Sequence, residues 1–151
     1  MRLLSPLFLI LTLILLSCGG SHDEEIEAQL ATREEAIETK NVDLYMTLIS
    51  PDYIVERNNK VDDLETVKKK FMSNVALFDE LEITNANRSI YERDSIVEVV
   101  QLIVVDALVD ETKNRFKVNE KIQFSNIDGK WLIVKESDAD FLERFVFGGS
   151  N

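Results

Sequence analysis

Phe116-Lys-Val-Asn-Glu-Lys-Ile-Gln-Phe-Ser-Asn-Ile-Asp-Gly-Lys-Trp-Leu-Ile-Val-Lys-Glu136 is the stretch on which the fold turns. Its first half alternates: Phe116, Val118, Glu120, Ile122 and Phe124 fall on one side of an extended chain, and Lys117, Asn119, Lys121, Gln123 and Ser125 on the other. Period two with one apolar side predicts a strand over 115–126 that lies on a core. Asp128-Gly129 follows, a pair that accepts the positive φ angles of a two-residue hairpin turn. The second half, 130–136 with Trp131, Ile133 and Val134, is therefore expected to return antiparallel to the first. One residue breaks the pattern, because Glu120 puts a carboxylate on the apolar side.

Working outward, Ser95 to Leu108 predicts a long strand with Ile96, Val100, Leu102 and Val104 on one face and Val97, Val99, Ile103 and Val105 on the other. Both faces are apolar, so both are expected to be covered. One meets the core, and the other predicts a homodimer interface or a covering helix. Residues 80–89, with Leu81 and Ile83 alternating against Glu82 and Thr84, complete a four-stranded antiparallel meander.

Upstream, Ile26, Leu30 and Ile37 repeat at helical spacing over 24–40, and Arg33 falls on the same stripe. A second helix over 41–49 is capped by Asn41 and stopped by Pro51. A short strand, 52–57, and a turn at Asn58-Asn59-Lys60 follow. Asp62 and Glu65 have capping-box spacing and open a third helix to about residue 77, with Leu64, Val67, Phe71 and Val75 inward. Lys68-Lys69-Lys70 in that helix reads as a solvated turn. Phe141, Leu142, Phe145 and Val146 predict a short C-terminal helix ended by Gly148-Gly149. Helices first and an antiparallel sheet afterwards make the fold class α+β.

The 151 residues carry a net charge of −11. After residue 17 there are sixteen basic and twenty-eight acidic residues, a net −12. A surface this acidic repels phosphate backbones, which argues against nucleic acid as a partner. A single Cys excludes an intrachain disulfide, and one His with one Cys excludes a His/Cys metal site. No Ser/His/Asp set and no phosphate-cradling glycine loop are present, and no cofactor is expected.

The N-terminus reads as an export signal. Arg2 precedes an apolar run from Leu3 to Leu16, too short for a comfortable membrane span. The run ends in Leu15-Leu16-Ser17-Cys18, which resembles a bacterial lipoprotein box: a small residue before the cut, then a thiol to take the diacylglycerol. Residues 1–17 are thus expected to be a lipoprotein signal peptide, 18–24 a polar tether and 25–147 the domain. Acylated Cys18 would hold the protein on a lipid bilayer of the bacterial cell envelope. Gly rather than Asp at position 19 matches the enteric pattern for the outer membrane. His22 reads as a solvated tether residue.

Glu38-Thr-Lys-Asn-Val-Asp-Leu-Tyr-Met-Thr-Leu-Ile-Ser-Pro-Asp-Tyr-Ile-Val, with the ending from Glu120 to Lys135, resembles the nuclear transport factor 2-like superfamily, which includes ketosteroid isomerase and polyketide-cyclase-like proteins. The resemblance runs over about residues 24–137. It implies a cone, a strongly bent antiparallel sheet wrapped on the N-terminal helices, whose open end often forms a pocket. In the isomerase branch a carboxylate base works with an oxyanion hole of a Tyr and a protonated Asp. On that resemblance, the Tyr position is Arg33, the base position is Arg57 and the Asp position is Glu120. An arginine is no base at neutral pH, so isomerase chemistry is not expected.

Periodicity by itself also points Arg33, Arg57 and Glu120 inward. A buried charge must be paired, so Glu120 is expected to hold at least one of the two arginines. Either the cone is plugged by this salt bridge, or a spare guanidinium binds a carboxylate or phosphate. Tyr45 and Tyr53 line the pocket or sit in the core with hydroxyls at its edge, and Trp131 faces inward. The leading functional expectation is a membrane-anchored, non-enzymatic binding module. It would hold a small ligand, anionic if a guanidinium is spare, or an envelope protein. The alternatives are a cyclase- or isomerase-like enzyme using Glu120, and an acidic inhibitor or immunity-like protein that neutralises a basic partner.

Overall fold

The computed structural model describes residues 22–55 and 60–137. Cys18, Arg57 and the expected C-terminal helix lie outside them. The chain opens with α1 (Asp23–Glu38), α2 (Val42–Met46), β1 (Ile49–Val55), β2 (Lys60–Val61) and α3 (Leu64–Val75). It continues as β3 (Glu80–Arg93), β4 (Ile96–Val109), β5 (Thr112–Ile127) and β6 (Lys130–Glu136).

The six strands form one sheet in the order β2-β1-β6-β5-β4-β3. The meander β3 to β6 is antiparallel throughout, as its alternation predicts. β1 departs from that pattern and pairs with β6 in parallel. Asp128 and Gly129 turn β5 into β6 with φ of 51° and 82°, the two positive angles that such a hairpin needs. The N-terminal helices pack on the inner face, where Val99, Ile103, Val105, Ile122, Phe124 and Ile133 meet Ile26, Leu30 and Ile37 of α1. Fold class and cone architecture are those expected from the sequence.

Several local expectations are corrected. The strand after α2 begins at Ile49, before Pro51. Between Ile49 and Ile54 the pairing with β6 is irregular, and Pro51, which cannot donate to a ladder, lies in that stretch. Asn41 caps α2 as predicted, its side chain accepting from the Leu44 N–H at 3.0 Å. The cap of α3 is Asp63, accepting from Thr66 at 2.7 Å, and not Asp62. Asp62 is instead buried and paired with Lys70 at 2.8 Å. Leu64, expected inside, is 39% exposed, while Asn74 joins Val67, Phe71 and Val75 in the core.

Covering of the outer face of β4 is a further expectation. Among the described residues that face is not covered: Val100 is 40% exposed, and Ile96, Leu102 and Val104 are only half-buried.

Two strands carry an extra residue. In β3 the register with β4 shifts between Asn85 and Asn87, leaving Ala86 unmatched. In β6 Phe124 pairs with Ile133 and Gln123 with Lys135, leaving Val134 unmatched. Each bulge reverses the parity of the residues that follow. Arg88 and Glu136 are thereby turned inward, although plain alternation would place both on the outer face.

Candidate functional site: a buried arginine between two glutamates

Arg33 sits on the apolar stripe of α1, at mid-helix, and is 2% exposed. Its fork meets Glu120 of β5, Nη1 to Oε1 at 3.2 Å and Nη2 to Oε2 at 3.1 Å. Its Nε donates to Oε1 of Glu136 on β6 at 2.8 Å, and Nη2 lies 2.7 Å from that same oxygen. The other Glu136 oxygen accepts from the hydroxyls of Tyr53 at 2.7 Å and Tyr45 at 3.1 Å. Gln101 of β4 donates its amide N–H to Glu120 Oε1. All six residues are buried. Tyr45 is also stacked on Phe71, ring centroids 4.1 Å apart.

Burial alone would favour the neutral form of Arg33, but the charges of Glu120 and Glu136 outweigh it and raise its pKa further. Burial, reinforced by Glu136, pushes both tyrosine hydroxyls well above their ordinary range. They stay protonated and act as donors. The expectation of an arginine–Glu120 pair holds at Arg33. No guanidinium is spare there, because two carboxylates share Arg33. Arg57, the other arginine expected at this centre, lies outside the described residues.

The network extends toward the surface through Gln101. Its amide oxygen accepts from Arg88 Nε at 2.6 Å and from Asn85 at 3.2 Å. Arg88 then bridges to Glu27 and Glu34 of α1, the Glu34 contact at 2.6 Å. Burial raises the pKa of Glu34, and Arg88 only partly offsets it. The sequence reading missed Arg88 and Glu136, and the signal hiding them was the pair of bulges described above.

Trp131 takes no hydrogen bond in this cluster. It lies at the N-terminal end of α1, where its indole N–H donates to Glu25 at 2.8 Å and its ring meets His22. At the opposite end of α1 a groove of about 570 Å³ is lined by Glu38, Asp79, Glu80, Glu82, Asp106 and Lys113, among others. None of the Arg33 cluster lines it. Among the described residues no group of His, Cys, Asp and Glu is arranged to hold a metal ion, and no helix is long and apolar enough to cross a membrane.

A family model for the SnoaL-like domain matches residues 26–137, the helices and the sheet just described. The chain belongs to the SnoaL-like domain family. Within the wider nuclear transport factor 2-like fold, it is similar to a protein of unknown function with a cystatin-like fold from Nostoc punctiforme, at 19% identity over 76% of this chain and 87% of that one, TM-score 0.63. A nuclear transport factor 2-like superfamily protein from Salmonella enterica serovar Typhimurium gives 14% identity over 76% and 87%, TM-score 0.66. Aln2 from a Streptomyces species gives 8% identity over 76% and 87%, TM-score 0.67. These likenesses concern the fold. No curated protein matches the chain. SnoaL-like domains supply a scaffold for ligand binding or enzyme chemistry, and which of these this member uses depends on its own interior.

Proposed function

We propose that this SnoaL-like protein is a lipid-anchored, non-enzymatic binding module of a bacterial cell envelope, and that its ligand or partner sits over the cone and not at its centre. The observation that carries this reading is the occupancy of the interior polar groups. Both oxygens of Glu120 hold Arg33, and one also accepts from Gln101. Both oxygens of Glu136 are engaged as well. A general base must reach a substrate proton with a lone pair, and these carboxylates direct theirs at side chains. The net −12 of the chain after residue 17 favours a basic partner. The Leu15-Leu16-Ser17-Cys18 sequence supports the anchor, in which acylated Cys18 ties the domain to the bilayer, the outer membrane on the Gly19 pattern.

The test separates anchor from chemistry. Cys18→Ser should abolish lipid attachment, read by mass spectrometry of the mature N-terminus, and release the protein from the membrane fraction. A water-soluble mature protein with unmodified Cys18 refutes the anchor. Glu120→Gln should leave capture of an envelope partner intact. A pH-dependent turnover lost in Glu120→Gln would establish the cyclase-like alternative.

A further inference from the structure

β5 is longer than the strand that returns beside it. It runs from Thr112 to Ile127, yet among the described residues β6 pairs only with Ile122–Ile127. One further step of that ladder belongs to Ser137. Its N–H donates to the Lys121 carbonyl at 2.9 Å, and its hydroxyl oxygen accepts from the Lys121 N–H at 2.8 Å. A side chain thus stands where a backbone carbonyl would, and the chain is still alongside β5 as it leaves β6. Backbone groups of successive residues point to opposite sides of a strand. Lys121 points its N–H and C=O to the β6 side, so Asn119, Lys117, Arg115 and Lys113 do the same, and no strand among the described residues takes them. On its inner side this half of β5 carries Phe116 and Val118, packed on the core. On its outer side it carries Lys113, Arg115 and Lys117, three of the sixteen basic residues after residue 17.

Fourteen residues follow Ser137. In 138–147, Asp138, Asp140 and Glu143 outnumber Arg144, and Phe141, Leu142, Phe145 and Val146 share one helical face. Along β5, Phe116 is about 17 Å from Lys121 and Lys113 about 27 Å, at about 3.4 Å per residue. Residues 138–147 span about 15 Å as a helix and about 33 Å extended, which reaches the whole open half.

We propose that residues 138–147 fold back along the open half of β5 as a cover for this flank of the cone, their apolar face on Phe116 and Val118 and their carboxylates toward Lys113 and Lys117. An open strand edge beside apolar side chains invites another chain. Ser137 delivers this segment to the start of that edge, and its charge is opposite to that of the strand. Val118 is the inward residue next to Glu120, so the cover also stands between solvent and this side of the Arg33 cluster. A partner seated over the cone at this flank would meet the segment before it met β5. The inference does not rest on the lipid anchor.

The full chain, purified in detergent with the photocrosslinker benzoylphenylalanine in place of Phe145, tests the placement. Irradiation should join position 145 to a β5 peptide within 113–119 of the same chain, read by mass spectrometry of the monomer. Joining to the outer face of β4, joining only between two chains, or no joining to β5 overturns the cover. Hydrogen exchange gives a second reading. Phe141→Asp combined with Phe145→Asp should speed exchange of the amides at 113–119 by about tenfold or more, while those at 122–127, held by β6, keep their rates. Unchanged exchange at 113–119 overturns the cover as well. Loss of protection at 122–127 too would mark a general unfolding of the double variant, and the crosslink then decides. Neither readout depends on whether Cys18 carries lipid, so failure of the cover and failure of the anchor are told apart.

Discussion

Arg33 directs all three of its guanidinium nitrogens at Glu120 and Glu136, with no water-facing side. Two buried anions on one cation are tolerable only because Gln101, Tyr45 and Tyr53 donate to the remaining lone pairs. Removing the cation is therefore worse than removing one salt bridge. Arg33→Leu is expected to cost at least about 3–5 kcal/mol in urea unfolding at neutral pH, the cost of leaving a buried charge unpaired. An Arg33→Leu variant as stable as the unmutated protein would mean that the cluster is not a coupled unit.

Individual elements differ in how far the sequence reveals them. β5 has no extra residue opposite β4, so its alternation places Glu120 inside without ambiguity. α1 is a regular helix, so its stripe does the same for Arg33. In β3 and β6 the alternation is true only up to Ala86 and Val134. Beyond those residues every prediction of facing is reversed, which is why half of the ionic network was hidden while the other half was plain. The start of α3 departs from the sequence reading by one residue for a simpler reason: Asp62 and Asp63 are adjacent and carry the same side chain, and only backbone position decides which one caps. Asp63→Ala is expected to lower stability by about 0.5–2 kcal/mol, the usual cost of losing an N-cap, read as a shift in the urea midpoint. No change on Asp63→Ala would return the capping role to Asp62.

For the molecule as a whole, the outer face of the sheet is the surface that remains to be accounted for. Ile96, Val100, Leu102 and Val104 form an apolar row along β4, facing away from the core. Glu98 in the same row is buried beside Gln123, with Arg93 and Lys121 also near it. A second copy stacked on this face would cover the row. Val100→Lys puts a like charge opposite Lys121 and is expected to shift a dimer to monomer, with the apparent Kd raised tenfold or more, as measured by light scattering. A monomeric unmutated protein at high concentration would leave no dimer to disrupt.

The Ala86 bulge has a consequence beyond the parity of Arg88. β3 is the last strand of the sheet on its side and fourteen residues long, the form of edge that invites another chain to add on. Ala86 breaks its straight run of outward amides, Glu80, Glu82 and Arg93 place charges along it, and the Glu38 carboxylate takes the Ile83 N–H at 2.6 Å. What turns an arginine into the interior thus also denies the rim a clean template for fibril growth.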